Sequence, residues 1–144
     1  MEKEALKRIF EFLEDKEGKK SNHKYGLKWK LTFNEPLIKE DLNVKGNLDL
    51  KYLEITSLPE GLKVGGWMSL GHSKIESLPE GLKVGGNFNL TYTEITSLPK
   101  GLEVGGTLYL YKSALVEYTD KELRNMVKPG FLKGDIYRGW RKKH

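Results

Sequence analysis

The chain has 144 residues and no cysteine, and its 25 basic and 20 acidic side chains give a formal net charge of +5. This length predicts one compact unit, and the lack of cysteine excludes disulfides, thiolate metal sites and a cysteine nucleophile. No apolar run approaches the roughly 20 residues of a membrane-spanning helix, so we expect no membrane partner. The charged start does not resemble a secretory signal, so we expect a cytoplasmic location.

The first 37 residues predict a helix followed by a strand. Between residues 2 and 15, apolar side chains recur among charged ones at helical spacing, which is typical of an amphipathic helix. After a polar loop, apolar and polar residues alternate from Leu27 to Phe33, which predicts a strand. We interpret residues 1–37 as an N-terminal cap on the repeats that follow.

A 20-residue repeat occupies residues 38–117. The segment SLPEGLKVGG occurs at 57–66 and unchanged at 77–86, and a third copy, SLPKGLEVGG, occurs at 97–106. A fixed period of this length is the signature of a solenoid, in which each turn buries its apolar face against its neighbours. We count four turns, the first of them degenerate because Lys39, Asp41 and Lys45 replace the proline and two of the glycines of the later turns.

Alignment of the chain every 20 residues produces six apolar columns. Four turns supply about 24 inward side chains, each worth roughly 1.5–3 kcal/mol when buried, which is enough for a small domain. The columns are Leu42, Leu62, Leu82, Leu102; Val44, Val64, Val84, Val104; Leu48, Met68, Phe88, Leu108; Leu50, Leu70, Leu90, Leu110; Ile55, Ile75, Ile95, Leu115; and Ile38, Leu58, Leu78, Leu98.

Each turn is predicted to contain one short parallel strand. Met68 and Leu70 alternate with polar residues as in a strand, and the preceding glycine pair allows a tight turn into it. Pro79 removes a backbone donor, so the return segment is expected to be extended or irregular. A hydroxyl three residues after each strand is expected to satisfy turn backbone groups. The predicted strands lie near residues 46–50, 66–70, 86–90 and 106–110.

These columns resemble a leucine-rich repeat. The pattern Met68-x-Leu70-x-x-Ser73-x-Ile75-x-x-Leu78-Pro79 is similar to the short, LPxGL-type bacterial class and to repeats of phage and giant-virus proteins, although asparagine usually occupies the place of Ser73. The resemblance implies an α+β repeat fold, a leucine-rich-repeat solenoid with short parallel strands, an N-terminal amphipathic helix cap and a C-terminal helical, basic cap. A pentapeptide-repeat helix is excluded, because Gly65 and Glu80 occupy positions that would have to be apolar.

Residues 118–144 are predicted to form a C-terminal cap and a basic tail. Thr119 or Asp120 is placed to cap a short helix over residues 121–127, which Lys128-Pro129-Gly130 would end. This segment contains 8 basic and 3 acidic residues, whereas the repeats contain 8 and 10. The positive charge of the chain therefore belongs to its C-terminal segment.

Aromatic residues occupy the outward positions beside and just after the predicted strands. Because neighbouring strands lie about 4.7–4.9 Å apart, Tyr52, His72 and Tyr92 are expected to stack into a continuous row, called here the aromatic strip. Exposed aromatic side chains on one face are typical of binding hot spots, and a regular ladder that stiffens a turn is the alternative. The candidate partner-binding residues are Tyr52, Trp67, His72, Tyr92, Tyr109 and Tyr111.

No enzyme chemistry or cofactor is predicted. The three histidines lack metal-ligand spacing, and no nucleophile–base set stands out. Recognition modules of bacterial effector ubiquitin ligases resemble these repeats, but such enzymes need a cysteine that this chain lacks. We therefore predict a non-enzymatic protein-binding module. The similarity to phage repeats implies a small modulator or inhibitor of a host protein, including a defence-system protein, that acts in the host cytoplasm.

The competing hypothesis is a nucleic-acid-associated protein. Its C-terminal segment mixes cations with aromatic rings, a pattern compatible with phosphate contacts and base stacking. The candidate nucleic-acid residues are Arg138, Trp140, Arg141, Lys142 and Lys143. The sequence leaves the partner's identity and the oligomeric state open.

Overall fold

The computed structural model describes residues 26–139, which form a parallel β-solenoid with few helices. The strands of this part of the chain are β1 (Asn43–Val44), β2 (Leu48–Asp49), β3 (Lys63–Val64), β4 (Met68–Ser69), β5 (Lys83–Val84), β6 (Phe88–Asn89), β7 (Glu103–Val104), β8 (Leu108–Tyr109), β9 (Phe131–Leu132) and β10 (Ile136–Tyr137). The helices are α1 (Leu27–Thr32), α2 (Asp120–Val127) and two 3-10 helices, Lys39–Leu42 and Ala114–Glu117. None of the helices in residues 26–139 is long and apolar enough to cross a membrane.

Two parallel sheets run side by side along the solenoid. One has the order β1-β3-β5-β7-β9 and the other β10-β8-β6-β4-β2, so one strand from each sheet makes a rung. Met68 pairs with Leu48 and Phe88, which confirms the predicted parallel strands and their 20-residue register. The first of these sheets was not predicted, because only one strand was assigned to each turn, although Leu62 and Val64 also alternate with the exposed Lys63.

The glycine pairs form the corner between the two sheets. A Cβ on Gly85 or Gly105 would collide with the carbonyl oxygen of the glycine one rung before it. The backbone continues the ladder through this corner, where the Gly85 N–H donates to the Val64 carbonyl at 2.8 Å. The glycines are therefore required by the close approach of successive rungs.

The predicted leucine columns form the core. Leu50, Leu70, Leu90 and Leu110 are completely buried. The first turn departs from the pattern, since Ile38, predicted to face inward, is 46% exposed. Its backbone N–H donates to the buried carboxylate of Asp41 at 2.8 Å, and the same oxygen pairs with Lys30 Nζ at 2.8 Å. A polar contact thus takes the place of apolar packing in this turn.

The strand predicted from Leu27 to Phe33 is wrong, because Leu27–Thr32 is a helix. The alternating apolar residues also form two i,i+4 pairs, and the rings of Trp29 and Phe33 lie 4.2 Å apart along the helix. The hydroxyl of Thr32 donates to the Lys28 carbonyl at 2.7 Å, again one helical turn back. The helix predicted over residues 2–15 lies outside the described residues.

A helix lies where the sequence predicts one near the C-terminus. The Thr119 hydroxyl accepts the Glu122 N–H at 3.1 Å, and the Glu122 carboxylate accepts the Thr119 N–H at 2.9 Å, which is a capping box. Beyond α2, strands β9 and β10 add a fifth rung within the segment interpreted from sequence as cap and tail. Ile136 pairs with Leu108, a separation of 28 residues that a 20-residue period does not reveal.

Candidate partner-binding face

The aromatic strip lies on turns that hold a left-handed backbone. Tyr52, His72 and Tyr92 have φ of 64°, 58° and 58°, and Lys112 continues the column at 59°. In three of these turns a backbone hydrogen bond spans three residues, as when the Ser73 N–H donates to the Leu70 carbonyl at 3.0 Å, and in the Tyr92 turn the Thr93 hydroxyl donates to the Leu90 carbonyl at 2.7 Å. A bulky side chain in this conformation costs about 1 kcal/mol or more, and glycine avoids that cost. The sequence places rings where glycine would be the easiest residue.

The three rings of the strip stack almost in parallel. Tyr52 and His72 have centroids 4.8 Å apart with planes inclined by 16°, and His72 and Tyr92 are 4.5 Å apart at 18°. Tyr52 is 67% exposed and Tyr92 is 45% exposed. Because neighbouring ring faces cover one another, the strip presents ring edges, two phenol hydroxyls and the imidazole edge to solvent. The expected stack is present, and its ladder and binding roles are compatible.

Tyr111 joins the strip to the C-terminal part of the chain. Its ring meets Tyr92 edge-on at 5.7 Å and 84°, and Lys112 Nζ lies 5.8 Å from its centroid. Gly139 has φ of 104° and lies against the Tyr111 ring, which would collide with any Cβ there. The chain therefore passes over Tyr111 just before residues 140–144.

Tyr137 extends the aromatic surface and was not among the candidate residues. It is 45% exposed, and its ring meets Tyr109 edge-on at 5.6 Å. Sequence reasoning assigned Tyr137 to the tail, and its place beside Tyr109 follows only from the pairing of β10 with β8. The aromatic face is defined here as Tyr52, Trp67, His72, Tyr92, Tyr109, Tyr111 and Tyr137.

Trp67 is the exception in its column. Asn47 accepts the Trp67 N–H at 2.9 Å and Asn87 accepts the Thr107 N–H at 2.8 Å, so these amides bind the next rung. Trp67 occupies the position that an asparagine holds in the rungs before and after it, and its side chain is 40% exposed. The structure therefore presents an indole where the rungs on either side carry backbone-binding amides.

The next outward column also binds backbone. Ser69, which was expected to face outward, is 4% exposed, and its hydroxyl accepts the Gly71 N–H at 3.3 Å. The Asn89 amide accepts the Thr91 N–H at 2.8 Å in the equivalent place. The hydroxyls of Ser73, Thr93 and Ser113 are buried and also bond to turn backbone, as predicted. Small polar residues beside the strip thus fix the turns that carry the rings.

The aromatic face carries little net charge. In the first rung Lys51 Nζ pairs with the Asp49 carboxylate at 3.0 Å. Burial raises the pKa of Asp49, but hydrogen bonds from Lys51 and the charges of Lys51 and Lys28 outweigh it, so the pKa lies below its ordinary value. The opposite side of the rungs carries charges instead, including Lys63 and a Lys83–Glu103 pair at 3.0 Å.

Arg138 is engaged in a contact that closes the solenoid. Its guanidinium donates to the Tyr118 carbonyl at 2.7 Å and pairs with Asp120 at 2.7 Å, and its side chain is 17% exposed. Arg124 donates to the carbonyls of Leu132 and Gly134 at 3.3 and 2.9 Å, which covers part of the edge of the last rung. The other predicted nucleic-acid residues, Trp140, Arg141, Lys142 and Lys143, lie outside the described residues.

The described part of the chain contains no group of three or more potential metal ligands. Comparisons of the chain with protein-family models, with curated proteins and with solved structures found no match.

Proposed function

We propose that the protein is a non-enzymatic module that binds a protein partner through its aromatic face. The observation that carries the proposal is the segregation of aromatic residues. In the repeats, Phe88 lies in the core, and every other aromatic residue lies on one side of the solenoid, beside or just after the strands of one sheet. In the fifth rung Tyr137 continues this face, whereas Phe131 is exposed on the other sheet. A solenoid offers a rigid scaffold, so these side chains lose little further freedom on binding.

The composition of this face suits protein recognition. Tyrosine and tryptophan supply large contact area with few rotatable bonds, and asparagine, serine and glycine supply adaptable hydrogen bonds, as in antibody paratopes. Trp67, Tyr92 and Tyr137 are each between 40% and 45% exposed, which leaves surface to be buried by a partner. Between the stacked rings the strip offers edges and hydroxyls, while Tyr52 at its first end is 67% exposed. This arrangement favours hydrogen bonding and edge contacts over the intercalation of a planar ligand.

The proposal includes the leucine-rich-repeat class and a cytoplasmic role. The 20-residue register and the buried leucine columns support the class, and the similarity of the repeats to phage proteins supports a small modulator or inhibitor of a host protein. Such an inhibitor would act by covering a surface of its target, since no catalytic set accompanies the aromatic face in residues 26–139.

The test is to capture partners from nuclease-treated bacterial lysate, purify the recovered protein and measure its affinity by calorimetry. Trp67→Ala and Tyr92→Gly are expected to weaken binding about 30-fold each, the effect of a hot-spot truncation near 2 kcal/mol. Lys63→Ala, on the opposite side of the same rungs, is the matched control and should bind as the wild type does. Wild-type affinity for both aromatic variants would contradict the proposal.

Nucleic-acid binding is the second candidate, favoured by the 8 basic and 3 acidic residues of the C-terminal segment. Truncation should begin at Trp140, because removal of Arg138 would break its contacts with Tyr118 and Asp120. Fluorescence anisotropy with labelled DNA and RNA is expected to show no binding at micromolar protein. Binding that falls steeply with salt and disappears on truncation would favour this candidate through counterion release.

A further inference from the structure

The phenol rings of the aromatic strip recur every two rungs. Tyr52 and Tyr92 supply them, and the imidazole of His72 lies between. The ring centroids are 4.8 Å apart for the first step and 4.5 Å apart for the second, which places the two phenols about 9 Å apart along the solenoid. Two rungs at ordinary strand spacing advance by about 9.4–9.8 Å, so the interval follows from the fold.

The strip has unused hydrogen-bonding capacity in its side chains. Tyr52 is 67% exposed and Tyr92 is 45% exposed, and neither hydroxyl forms a hydrogen bond within residues 26–139. Each phenol can donate one hydrogen bond. The backbone N–H groups of the same two residues already donate to the carbonyls of Gly71 and Tyr111 at 3.0 and 2.9 Å. A ligand on the strip therefore meets side-chain donors.

The charges around the strip balance one another. Lys51 Nζ pairs with the Asp49 carboxylate at 3.0 Å, and Lys112 Nζ lies 5.8 Å from the centroid of the Tyr111 ring. A charged partner group buried against the phenols would lose its hydration without gaining an opposite charge. Charge matching thus favours an uncharged ligand segment. The charged side chains of the strip column and its neighbouring columns are Asp49, Lys51, Glu54, Lys74, Glu94 and Lys112, whose formal charges cancel.

A polyproline II helix matches the spacing and the donors of the strip. It has about three residues per turn and rises about 3.1 Å per residue, so the same side of it returns about every 9.3 Å. This repeat agrees with the separation of Tyr52 and Tyr92. Its backbone makes no internal hydrogen bonds, and proline supplies a carbonyl acceptor but no N–H. Burial of such a segment leaves no backbone donor of a proline unpaired.

Two other modes of peptide recognition fit the strip less well. An added β-strand needs an unpaired sheet edge, whereas the backbone N–H groups of the strip are bonded to the next rung. An amphipathic helix satisfies its backbone internally and docks through apolar side chains. Its apolar face would cover the phenol hydroxyls of Tyr52 and Tyr92 without accepting their hydrogen bonds.

We infer that the partner presents an uncharged, proline-rich segment in the polyproline II conformation, which lies along the aromatic strip. The hydroxyls of Tyr52 and Tyr92 donate to carbonyl oxygens three residues apart, and the pyrrolidine rings pack on the ring edges. A polyproline II segment is preformed, so it loses little conformational freedom on binding. The inference rests on the proposed function and specifies the composition and conformation of the partner segment.

A defined peptide tests this chemistry without the natural partner. Fluorescein-labelled nonaproline is titrated with the full chain, and anisotropy is measured. It is expected to bind at least about fivefold more tightly than a glycine–serine peptide of equal length, which has no preformed conformation. Tyr52→Phe and Tyr92→Phe each remove a hydroxyl but keep the stacked ring, and each should weaken binding about threefold. Tyr137→Phe, in the fifth rung and off the strip, is the matched control and should change affinity less than about twofold.

Three results would overturn the inference. They are equal affinity for nonaproline and the glycine–serine peptide, equal losses in Tyr92→Phe and Tyr137→Phe, and tighter binding of an amphipathic helical peptide made of leucine and glutamine. Amide chemical shifts locate the bound nonaproline independently of affinity. Shifts are expected at His72 and Tyr92, and shifts confined to Lys63 and Lys83 on the opposite side would also contradict the inference.

The captured partner separates failure of the inference from failure of the proposed function. If that partner needs Trp67 and the Tyr92 ring but is indifferent to Tyr52→Phe and Tyr92→Phe and is not displaced by nonaproline, the inference is overturned and the proposed function stands. If it ignores Trp67→Ala and Tyr92→Gly, the proposed function itself fails.

Discussion

The two sides of the rungs share one backbone geometry and carry different surfaces. On the β1-to-β9 side the outward column reads Asn43, Lys63, Lys83, Glu103 and Phe131, and Lys83 forms an ion pair with Glu103. On the β2-to-β10 side the corresponding column changes at each step, from Asn47 to Trp67 to Asn87. Both sides are built of two-residue parallel strands in the same register.

This difference indicates that packing restricts the residue types at inward positions of this fold and does not restrict those at outward positions. The inward columns hold leucine and valine on both sides because successive rungs approach to strand spacing. Outward residues carry no such requirement, so a face with charged middle rungs and an aromatic face can coexist on the same solenoid. The two faces differ in their aromatic content, on which the proposed binding role rests, and this is the comparison that substitutions should test.

The largest effect is expected in the core that the two sides share. Leu90 is completely buried, so Leu90→Ala should lower the free energy of unfolding by about 2–5 kcal/mol, and Leu70→Ala should do the same. Urea denaturation followed by circular dichroism measures the loss. The exposed variant Lys63→Ala is the control and should stay within about 0.5 kcal/mol of the wild type. A loss under about 1 kcal/mol for either leucine would mean that its column does not form the core.

An intermediate effect on stability is expected at Tyr92, where two substitutions distinguish the contribution of the stacked ring from that of the left-handed backbone. Tyr92→Ala loses the stacked ring but keeps a Cβ at φ of 58°, whereas Tyr92→Gly loses the ring and relieves the strain. Each ring pair is worth about 0.5–1.5 kcal/mol, so Tyr92→Ala should lower stability by about 1–2 kcal/mol. Tyr92→Gly should be about 1 kcal/mol more stable than Tyr92→Ala.

Glu94 provides the control for this pair of variants, because it is exposed and its φ is not positive. There the order should reverse, with Glu94→Gly no more stable than Glu94→Ala. Thermal unfolding of the four variants decides the matter. If Tyr92→Gly were less stable than Tyr92→Ala, the turn would not hold the left-handed conformation. For binding experiments Tyr92→Gly is consequently the cleaner probe of the ring.

The smallest effect on stability is expected from two exposed ion pairs, Lys51–Asp49 on the aromatic side and Lys83–Glu103 on the charged side. A carboxyl group with a lowered pKa in the folded state stabilises the protein above its unfolded pKa, and the contribution disappears as pH falls through the folded pKa. Asp49→Asn should therefore cost well under about 1 kcal/mol near neutral pH, since the pair is exposed, and nothing in strong acid. Urea titrations at the two pH values measure the difference.

Glu103→Gln removes the pair with Lys83 at the same 3.0 Å distance on the charged side and is the matched control near neutral pH. A loss of several kcal/mol for either variant would show that one side depends on its charges for folding.

The strands of the repeated turns could largely be predicted from the sequence, whereas the structure of the segments at the two ends of the solenoid could not. The strands near 66–70 and 86–90 follow from a repeated pattern in which every turn sees the same neighbours. The segment 27–33 has no copy, and its alternation fits a strand and a one-turn helix equally well. The contact of Lys30 with buried Asp41 and the i,i+4 packing of Trp29 on Phe33 accompany the helix. Neither contact can be predicted from the alternation of apolar and polar residues between Leu27 and Phe33.

The candidate site was predicted in the same uneven way. The stack of Tyr52, His72 and Tyr92 followed from a 20-residue spacing and the distance between strands. Arg138 was predicted to lie in the basic C-terminal segment as a nucleic-acid candidate, and the structure pairs it with Asp120, because the chain returns to the solenoid after α2. Tyr137 was overlooked for the same reason.

The sequence by itself determined the period, the parallel stacking and the leucine columns, because these depend on residues that recur every 20 positions and need only their equivalents as partners. The tertiary structure alone decided how the rings are held and where the aromatic face ends. The left-handed turns, Tyr137 beside Tyr109, and Gly139 against Tyr111 depend on contacts that a single turn does not contain or that break the period. The physical reason is that a repeat encodes interactions between like turns, whereas its ends meet unlike ones.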